Sequence, residues 1–489
     1  MKAKILGLGL LRVWAGIVVL VVVVAGLLAG FRLLQAPGEG EEATKAPTPT
    51  ESPTRAPVRA PTPTESPTRA PVRLTVVTRI APQEGEALRS RFLASDIAKS
   101  YGIVDVVFLK EDVSKWPIYA REGRADLFFH GGYVVYKDLC DKGYLKPIRD
   151  PEAISIATSI GAQIYRRADG SVCFIAVART IYSYTVNTAF LSKYNLPEPT
   201  SWGDLLNPIY AKPLLAGEAL VSFPKPSKST TAARIMQMML QKGWDEGWAL
   251  LTVVGALSYI VESAEKARDD VALGVSGLAP TVLRYGIRAE EASGGKARFV
   301  AARGEVIPDI TPVAIAVNTR NEEAALAFIK WLLSPEGQRA LAELFLFLPY
   351  VKPEGTGLEE VYERVKGNIF DYNPEDAALW ERAAMFYFEA AIADSDANTL
   401  LKRVWVKAVE LYNRGVISGD ELRSIALMLG SPLTITVEGR TVKFTKDYAM
   451  EINKRVAEDA GFRSAFMSSV KKAAIERYEG ILRLLEARG

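Results

Sequence analysis

Nineteen residues without a charge, Val13 to Phe31, lie between Arg12 and Arg32, and the Pro/Thr tract behind them cannot join any compact core. At 1.5 Å per residue a helix of that length spans about 28 Å, close to the hydrocarbon thickness of a bilayer. Lys2, Lys4 and Arg12 precede the run, and Glu39, Glu41 and Glu42 follow it. The positive-inside bias therefore predicts residues 1–12 in the cytoplasm, a transmembrane anchor over 13–34, and the rest outside the cell. A cleaved signal peptide is the alternative, although the run is long for one and no small-x-small cleavage site follows. Neither Cys140 nor Cys173 lies near residue 30, which excludes a lipid-modified N-terminal cysteine. Both readings export the same domain.

Residues 35–73 read as a tether. The fourteen residues APTPTESPTRAPVR occur twice in tandem, as Ala46–Arg59 and Ala60–Arg73. Proline at this density locks φ and removes amide donors, so the chain is extended and reaches on the order of 100 Å. Its serines and threonines have the composition of an O-glycosylated stalk.

The remainder, Leu74 to Gly489, is too long for one ordinary core and predicts two or three lobes. A net charge of +3 gives no electrostatic footprint for nucleic acid. Two cysteines do not make a disulfide framework, and their pairing stays open. One histidine and two cysteines against 24% charged residues are compatible with a heat-adapted source.

Strand and helix patterns alternate. Leu74–Thr78, Val104–Leu109 and Ala125–Phe129 read as strands, with a helical pattern over Glu86–Tyr101. The rhythm resumes with strand Leu220–Phe223, helix Thr230–Gln241, strand Val271–Val275, strand Ile315–Val317 and helix Glu322–Leu333. This order predicts an α/β fold of parallel sheets covered by helices, with ligands at the carboxyl ends of strands.

Five segments in sequence then carry a resemblance: ADLFFHGGYVVYKDLCDKGYLKPI (Ala125–Ile148), PEPTSWGDLLNP (Pro197–Pro208), PKPSKSTTAARIMQMML (Pro224–Leu240), VALGVSGLAPTVLR (Val271–Arg284) and AALAFIKWLLSPEGQ (Ala324–Gln338). Together they resemble the type 2 extracellular solute-binding proteins of ABC importers, nearest the ferric-iron, phosphonate and sugar-phosphate branch, over about Leu74 to Lys352. The resemblance implies a two-lobed, periplasmic-binding-protein-like fold with a hinge and one ligand in the cleft. By that pattern lobe one is 74–178 plus 300–414 with the closing helices, and lobe two is 179–299. It also implies a monomeric receptor, not an enzyme, whose partners are a small-molecule solute and the membrane subunits of a permease.

Candidate ligand-binding residues follow. Ser227, Ser229, Thr230 and Thr231 open an apolar-periodic helix, where free amides and the helix dipole favour an anion; the plain alternative is a helix cap. Gly131 and Gly132 follow a strand, where a backbone can approach a ligand or merely turn. Thr78 ends the first strand. Tyr182 and Tyr184 share a face, with Asn187 beyond them, and core packing serves both rings equally well. Ala279 to Thr281 is a second place where helix amides would face the cleft, and Pro308–Asp309 lies near the return crossing. His130, the single histidine, sits beside the glycine pair without clustered carboxylates. Ferric-iron members of the resembled family use a Tyr-Tyr pair after the strand matched to Val271–Val275. Ser276, Gly277 and Leu278 stand there in this chain, which leaves no expectation of a metal or cofactor.

No phosphate-binding loop, His-Glu-x-x-His, Gly-x-Ser-x-Gly or Cys-x-x-Cys motif occurs. A surface-anchored α/β hydrolase, which would have to be built on His130, and a cell-envelope structural or adhesion protein are the other two readings. After Pro353 the pattern is helical: Pro374–Ala393, Asn398–Arg414, and a capping box Ser418/Glu421 before Leu422–Leu429. Leu433–Thr445 alternates around Glu438-Gly439 as a hairpin, and helices follow near Asp447–Asp459 and Arg463–Ala487. Residues 415–489 read as an extension packed on one of the lobes.

Overall fold

The computed structural model describes residues 71–489, and the anchor over 13–34 and nearly all of the 35–73 tether lie outside the described residues. Among the described residues no helix is long and apolar enough to cross a membrane. The first strand starts at Val72, so the last two residues of the second repeat already belong to the sheet.

The run VCFIAVARTIYSYTVN forms one strand, Val172–Asn187, buried along its length except at Arg179 and Thr180. β-branched and aromatic residues with almost no polar alternation suit a strand covered on both faces. It pairs antiparallel with Ile307–Ala316, from Tyr182 opposite Ile307 to Ile175 opposite Val313. Each strand then serves a different neighbour. Val172–Asn187 continues against Leu278–Val282, and Ile307–Ala316 against Leu127–Phe129. Parallel strands Leu127–Phe129, Val72–Thr78 and Ile103–Lys110 extend one side, and Leu278–Val282, Val221–Pro224 and Ser258–Val261 the other. The two less buried residues thus mark where the long strand leaves one hydrophobic core for the next.

Lobe one has a core on each sheet face, one around Leu74, Phe92 and Trp331, the other around Trp116, Phe128 and Tyr136. Cys140, at the end of the helix Tyr133–Asp141, is disulfide-bonded to Cys173 at the start of the long strand. Lobe two shares a single core with the C-terminal quarter: Trp202, Phe223 and Trp248 pack in the same cluster as Trp380, Trp405 and Phe466. The closing helices beyond residue 374 therefore sit on lobe two, away from the lobe-one placement read from the sequence.

Residues 415–489 belong to the same core. Ser418 and Glu421 form the expected capping box of helix Gly419–Gly430. At Gly430 a β-carbon would stand 2.3 Å from Ala249 Cα, so only glycine lets this helix rest on Trp244–Ala256. The hairpin Thr434–Val437/Arg440–Lys443 turns through Glu438 and Gly439, both with positive φ, as a type I′ turn requires. Phe444 behind it stacks on Tyr387 at 4.0 Å.

Three elements depart from the sequence pattern. The helical run Glu86–Tyr101 is two helices, Pro82–Ala94 and Asp96–Ser100, broken where the extended Ser95 caps the second. Val271–Val275 is no strand: Ser263 caps a helix Ala264–Leu273 that Gly274 ends in the left-handed region, and the strand begins at Leu278. Pro374–Ala393 divides into Pro374–Ala378, Glu381–Phe388 and a π-turn Glu389–Ala393.

The Cys140–Cys173 bond closes a separation of 33 residues. Loop entropy then predicts that Cys140→Ala/Cys173→Ala lowers the unfolding free energy by about 4 kcal/mol. Chemical denaturation checks this, and an unchanged midpoint contradicts it. Removing residues 415–489 is expected to abolish cooperative unfolding, because it strips Phe444 and Phe466 from a shared core; a sharp calorimetric transition of the truncated chain would refute that integration.

Candidate functional site

A cavity of about 410 Å³ lies between the lobes with the hinge strands at its base. Its walls come from strand ends and helix starts. Arg79 follows Val72–Thr78, His130 to Gly132 follow Leu127–Phe129, and Arg284 and Tyr285 follow Leu278–Val282. Thr180, Tyr182 and Asp309 rise from the hinge, and Lys228 to Thr231 lead into the helix Thr230–Lys242.

Ser229 caps that helix, its hydroxyl accepting the Ala232 amide at 3.2 Å. The amides of Thr230 and Thr231, in the first turn, have no intrahelical acceptor, and the helix dipole adds positive potential there. One turn on, Arg234 is buried against Asp309, its Nη2 3.1 Å from the carboxylate. The same guanidinium donates to Gln237 Oε1 at 2.9 Å and to the Tyr372 hydroxyl at 3.0 Å. Burial acts to lower the Arg234 pKa, but the charge of Asp309 outweighs it and holds the group above its ordinary range. Arg234 is thereby committed to Asp309.

The remaining charges are unbalanced. Glu265 accepts the Tyr285 hydroxyl at 2.6 Å, and that hydrogen bond lowers its pKa. Arg284 is 3.6 Å from Glu84, across the cleft on the helix Pro82–Ala94, and Arg288 is 3.9 Å from the same carboxylate. Among the described residues no ion pair engages Arg79 or Lys228. Arg79, Lys228 and Arg284 thus share the cavity with a helix N-terminus, and the carboxylates beside them are Glu84, 3.6 Å from Arg284, and Glu265, which is bonded to Tyr285.

His130, Gly131 and Gly132 all have positive φ, at 60°, 138° and 83°. At Gly131 a β-carbon would also meet the Trp116 ring at 2.9 Å. The turn carries His130 onto Phe347, ring on ring at 5.3 Å, with Nδ1 covered and without a partner. Burial first, then the charges of Arg284 and Arg79, push its pKa down to about 3. The imidazole is therefore neutral at neutral pH.

Of the residues singled out in the sequence, His130, Gly131, Gly132, Tyr182, Ser229, Thr230, Thr231 and Asp309 line this cavity. Thr78, Tyr184, Ser227 and Ala279 do not. Thr78 is buried, its hydroxyl accepting the Ile80 amide in the turn that presents Arg79. Tyr184 donates to the Pro199 carbonyl at 2.6 Å and packs against Trp202, on the core side of its strand. Ala279 pairs with Thr185 inside the sheet, and Asn187 caps the helix Thr188–Lys193. Sequence reasoning missed Arg79, Lys228, Arg234, Glu265 and Arg284. The signal for Arg79 was its place after Thr78; that for Arg284 was hidden by the misplaced strand, since Arg284-Tyr285, not Ser276-Gly277, follows it.

A model of the family described as bacterial extracellular solute-binding protein matches residues 125–365. An extracellular solute-binding protein from Bordetella parapertussis shares the fold, with a TM-score of 0.50 at 15% identity, over 66% of this chain and 97% of that one. The chain has the two-lobed α/β fold of the periplasmic-binding-protein-like kind, and residues 125–365 resemble the bacterial extracellular solute-binding family. Two curated relatives, the Phosphoglycerate transport regulatory protein PgtC of Salmonella typhimurium and that of Salmonella typhi, are each 33% identical over 172 residues. That stretch covers 35% of this chain and 41% of the relative's length. Among the described residues no group of three or more His, Cys, Asp or Glu side chains is placed to hold a metal ion.

Asp309→Ala leaves the Arg234 guanidinium buried without its counter-charge and is expected to cost about 3–5 kcal/mol of stability in denaturant titrations. For His130 the folded pKa lies below the unfolded value of about 6.5, so the unfolded chain binds the extra proton. Its contribution is complete above pH ~6.5 and is lost as pH falls toward the folded value. His130→Asn, which tolerates the left-handed φ, is expected to flatten the stability profile across that window; a profile parallel to the wild type overturns the assignment.

Proposed function

We propose that this protein is the extracellular receptor of an ABC importer, capturing a small anionic solute by closure of its two lobes and passing it to the permease. One observation carries the reading: Arg79 and Lys228, which no ion pair engages among the described residues, and Arg284, held only by a 3.6 Å contact to Glu84, line one cavity with the free amides of Thr230 and Thr231. An anion seated there takes backbone and hydroxyl donors from lobe two and the Arg79 charge from lobe one. Contact with both lobes gives it more affinity for the closed state than for the open one, which is the condition for ligand-driven closure. The permease reads the closed shape.

The name of the Salmonella relatives directs the choice of solute to phosphoglycerate-like compounds, which carry a phosphoryl group and a carboxylate. Three cations suit a charge of that size. In this reading Gly131, Gly132, Tyr182, Ser229, Thr230 and Thr231 are the ligand contacts from the sequence list, and Thr78 supports the turn that carries Arg79. The 13–34 segment anchors the receptor and the 35–73 tract holds it off the outer membrane face. A hydrolase has less support: His130 stacks on Phe347 and meets no orienting carboxylate.

A thermal-shift and calorimetric series on the full-length protein tests the proposal. 3-Phosphoglycerate is expected to raise the melting temperature without being consumed, as mass action requires of a ligand specific to the folded state. Ser229→Ala/Thr230→Ala and Arg284→Gln are each expected to weaken it about tenfold or more. Silence toward phosphate esters, phosphonates and carboxylates alike overturns the anion receptor.

A further inference from the structure

Alternation places Arg179 and Ile310, paired across the hinge, on the sheet face opposite Thr180 and Asp309. A second cavity of about 390 Å³ opens on that face, within the size range of small-molecule sites. Tyr133, Tyr165 and Tyr350 supply aromatic walls, with Tyr133 and Tyr165 5.1 Å apart and Tyr165 stacked on Phe174. Arg179 lies 5.1 Å over the Tyr350 ring. Its Nη2 donates to the Pro349 carbonyl at 3.1 Å, but its Nε is buried without a partner. No ion pair engages it among the described residues.

A half-buried guanidinium lacking a counter-ion is an uncompensated charge, and its planar fork matches one carboxylate bidentately. Asp371 lines the same cavity, which favours a single carboxylate over a dianion such as a phosphate ester. Tyrosine walls favour a flat apolar body beside the anionic group. We propose that this second cavity is a separate binding site for a small aromatic or planar monocarboxylate, held by Arg179 through its Nε edge and packed against the tyrosines. The site is independent of the anion reading of the first cavity, which shares only Asp309 and Ile310 with it.

Calorimetry of the full-length protein with sodium benzoate as the probe tests this. Saturable one-site binding is expected in the wild type and, unchanged, in Ser229→Ala/Thr230→Ala, with benzoate not competing against 3-phosphoglycerate. Arg179→Gln is expected to weaken benzoate about tenfold or more, and Arg179→Lys, which keeps the charge but not the fork, by an intermediate factor. No saturable binding, equal affinity in Arg179→Gln, or loss in the Ser229/Thr230 variant overturns the proposal. Should the Arg179 variants fail to fold, wild-type crystals soaked in 4-bromobenzoate decide: a bromine peak between Tyr165 and Arg179 supports the site, and its absence there overturns it. Failure of 3-phosphoglycerate to bind bears only on the first cavity.

Discussion

The antiparallel pairing of Val172–Asn187 with Ile307–Ala316 is the contact on which the rest of the structure rests. Both strands belong to both lobes, so the sheet of lobe one and that of lobe two are continued through one ladder. Buried backbone donors and acceptors must find partners, and a shared ladder satisfies them where two cores would otherwise end at exposed edges. The same geometry opens a gap on either face of the ladder. One gap receives the strand ends and helix starts that carry the cations; the other receives the tyrosines and Arg179.

Charge is distributed unevenly around that ladder. Arg234 and Asp309 neutralise each other where burial is deepest, and Gln237 and Tyr372 complete their hydrogen bonding. A buried pair of this kind contributes little net stability but fixes a geometry, here the approach of the helix Thr230–Lys242 to the hinge. Nearer to solvent the cations are left open. Glu84 reaches Arg284 and Arg288 only at 3.6 and 3.9 Å, a contact weak enough in high dielectric for a bound anion to displace.

Much of the local architecture was legible in the residues. Helix Glu322–Leu333, the Ser418/Glu421 capping box and the Glu438-Gly439 turn depend on neighbours a few positions away, and sequence displays those directly. Ser229 was legible for the same reason. Val271–Val275 was not: an apolar run of five fits a strand and a helix end equally, and only the docking of Asp270 on Ser222 selects the helix. That error hid Arg284. Tyr182 and Tyr184 share a strand face and one buried core, yet only Tyr182 also borders the cavity, while Tyr184 is bonded to the Pro199 carbonyl and packed on Trp202.

By itself the sequence determined the order of strands and helices, the caps and turns that bound them, the two-lobed family resemblance and the helix entrance at Ser229 to Thr231. These follow from periodicity and from hydrogen bonds between near neighbours. Tertiary structure decided that the C-terminal quarter completes the core of lobe two, that Cys140 meets Cys173, and that Arg79, Lys228 and Arg284 converge while Arg234 is spent on Asp309. Residues scattered over two hundred positions become neighbours only when two hinge strands bring the lobes face to face, and no local pattern encodes that distance.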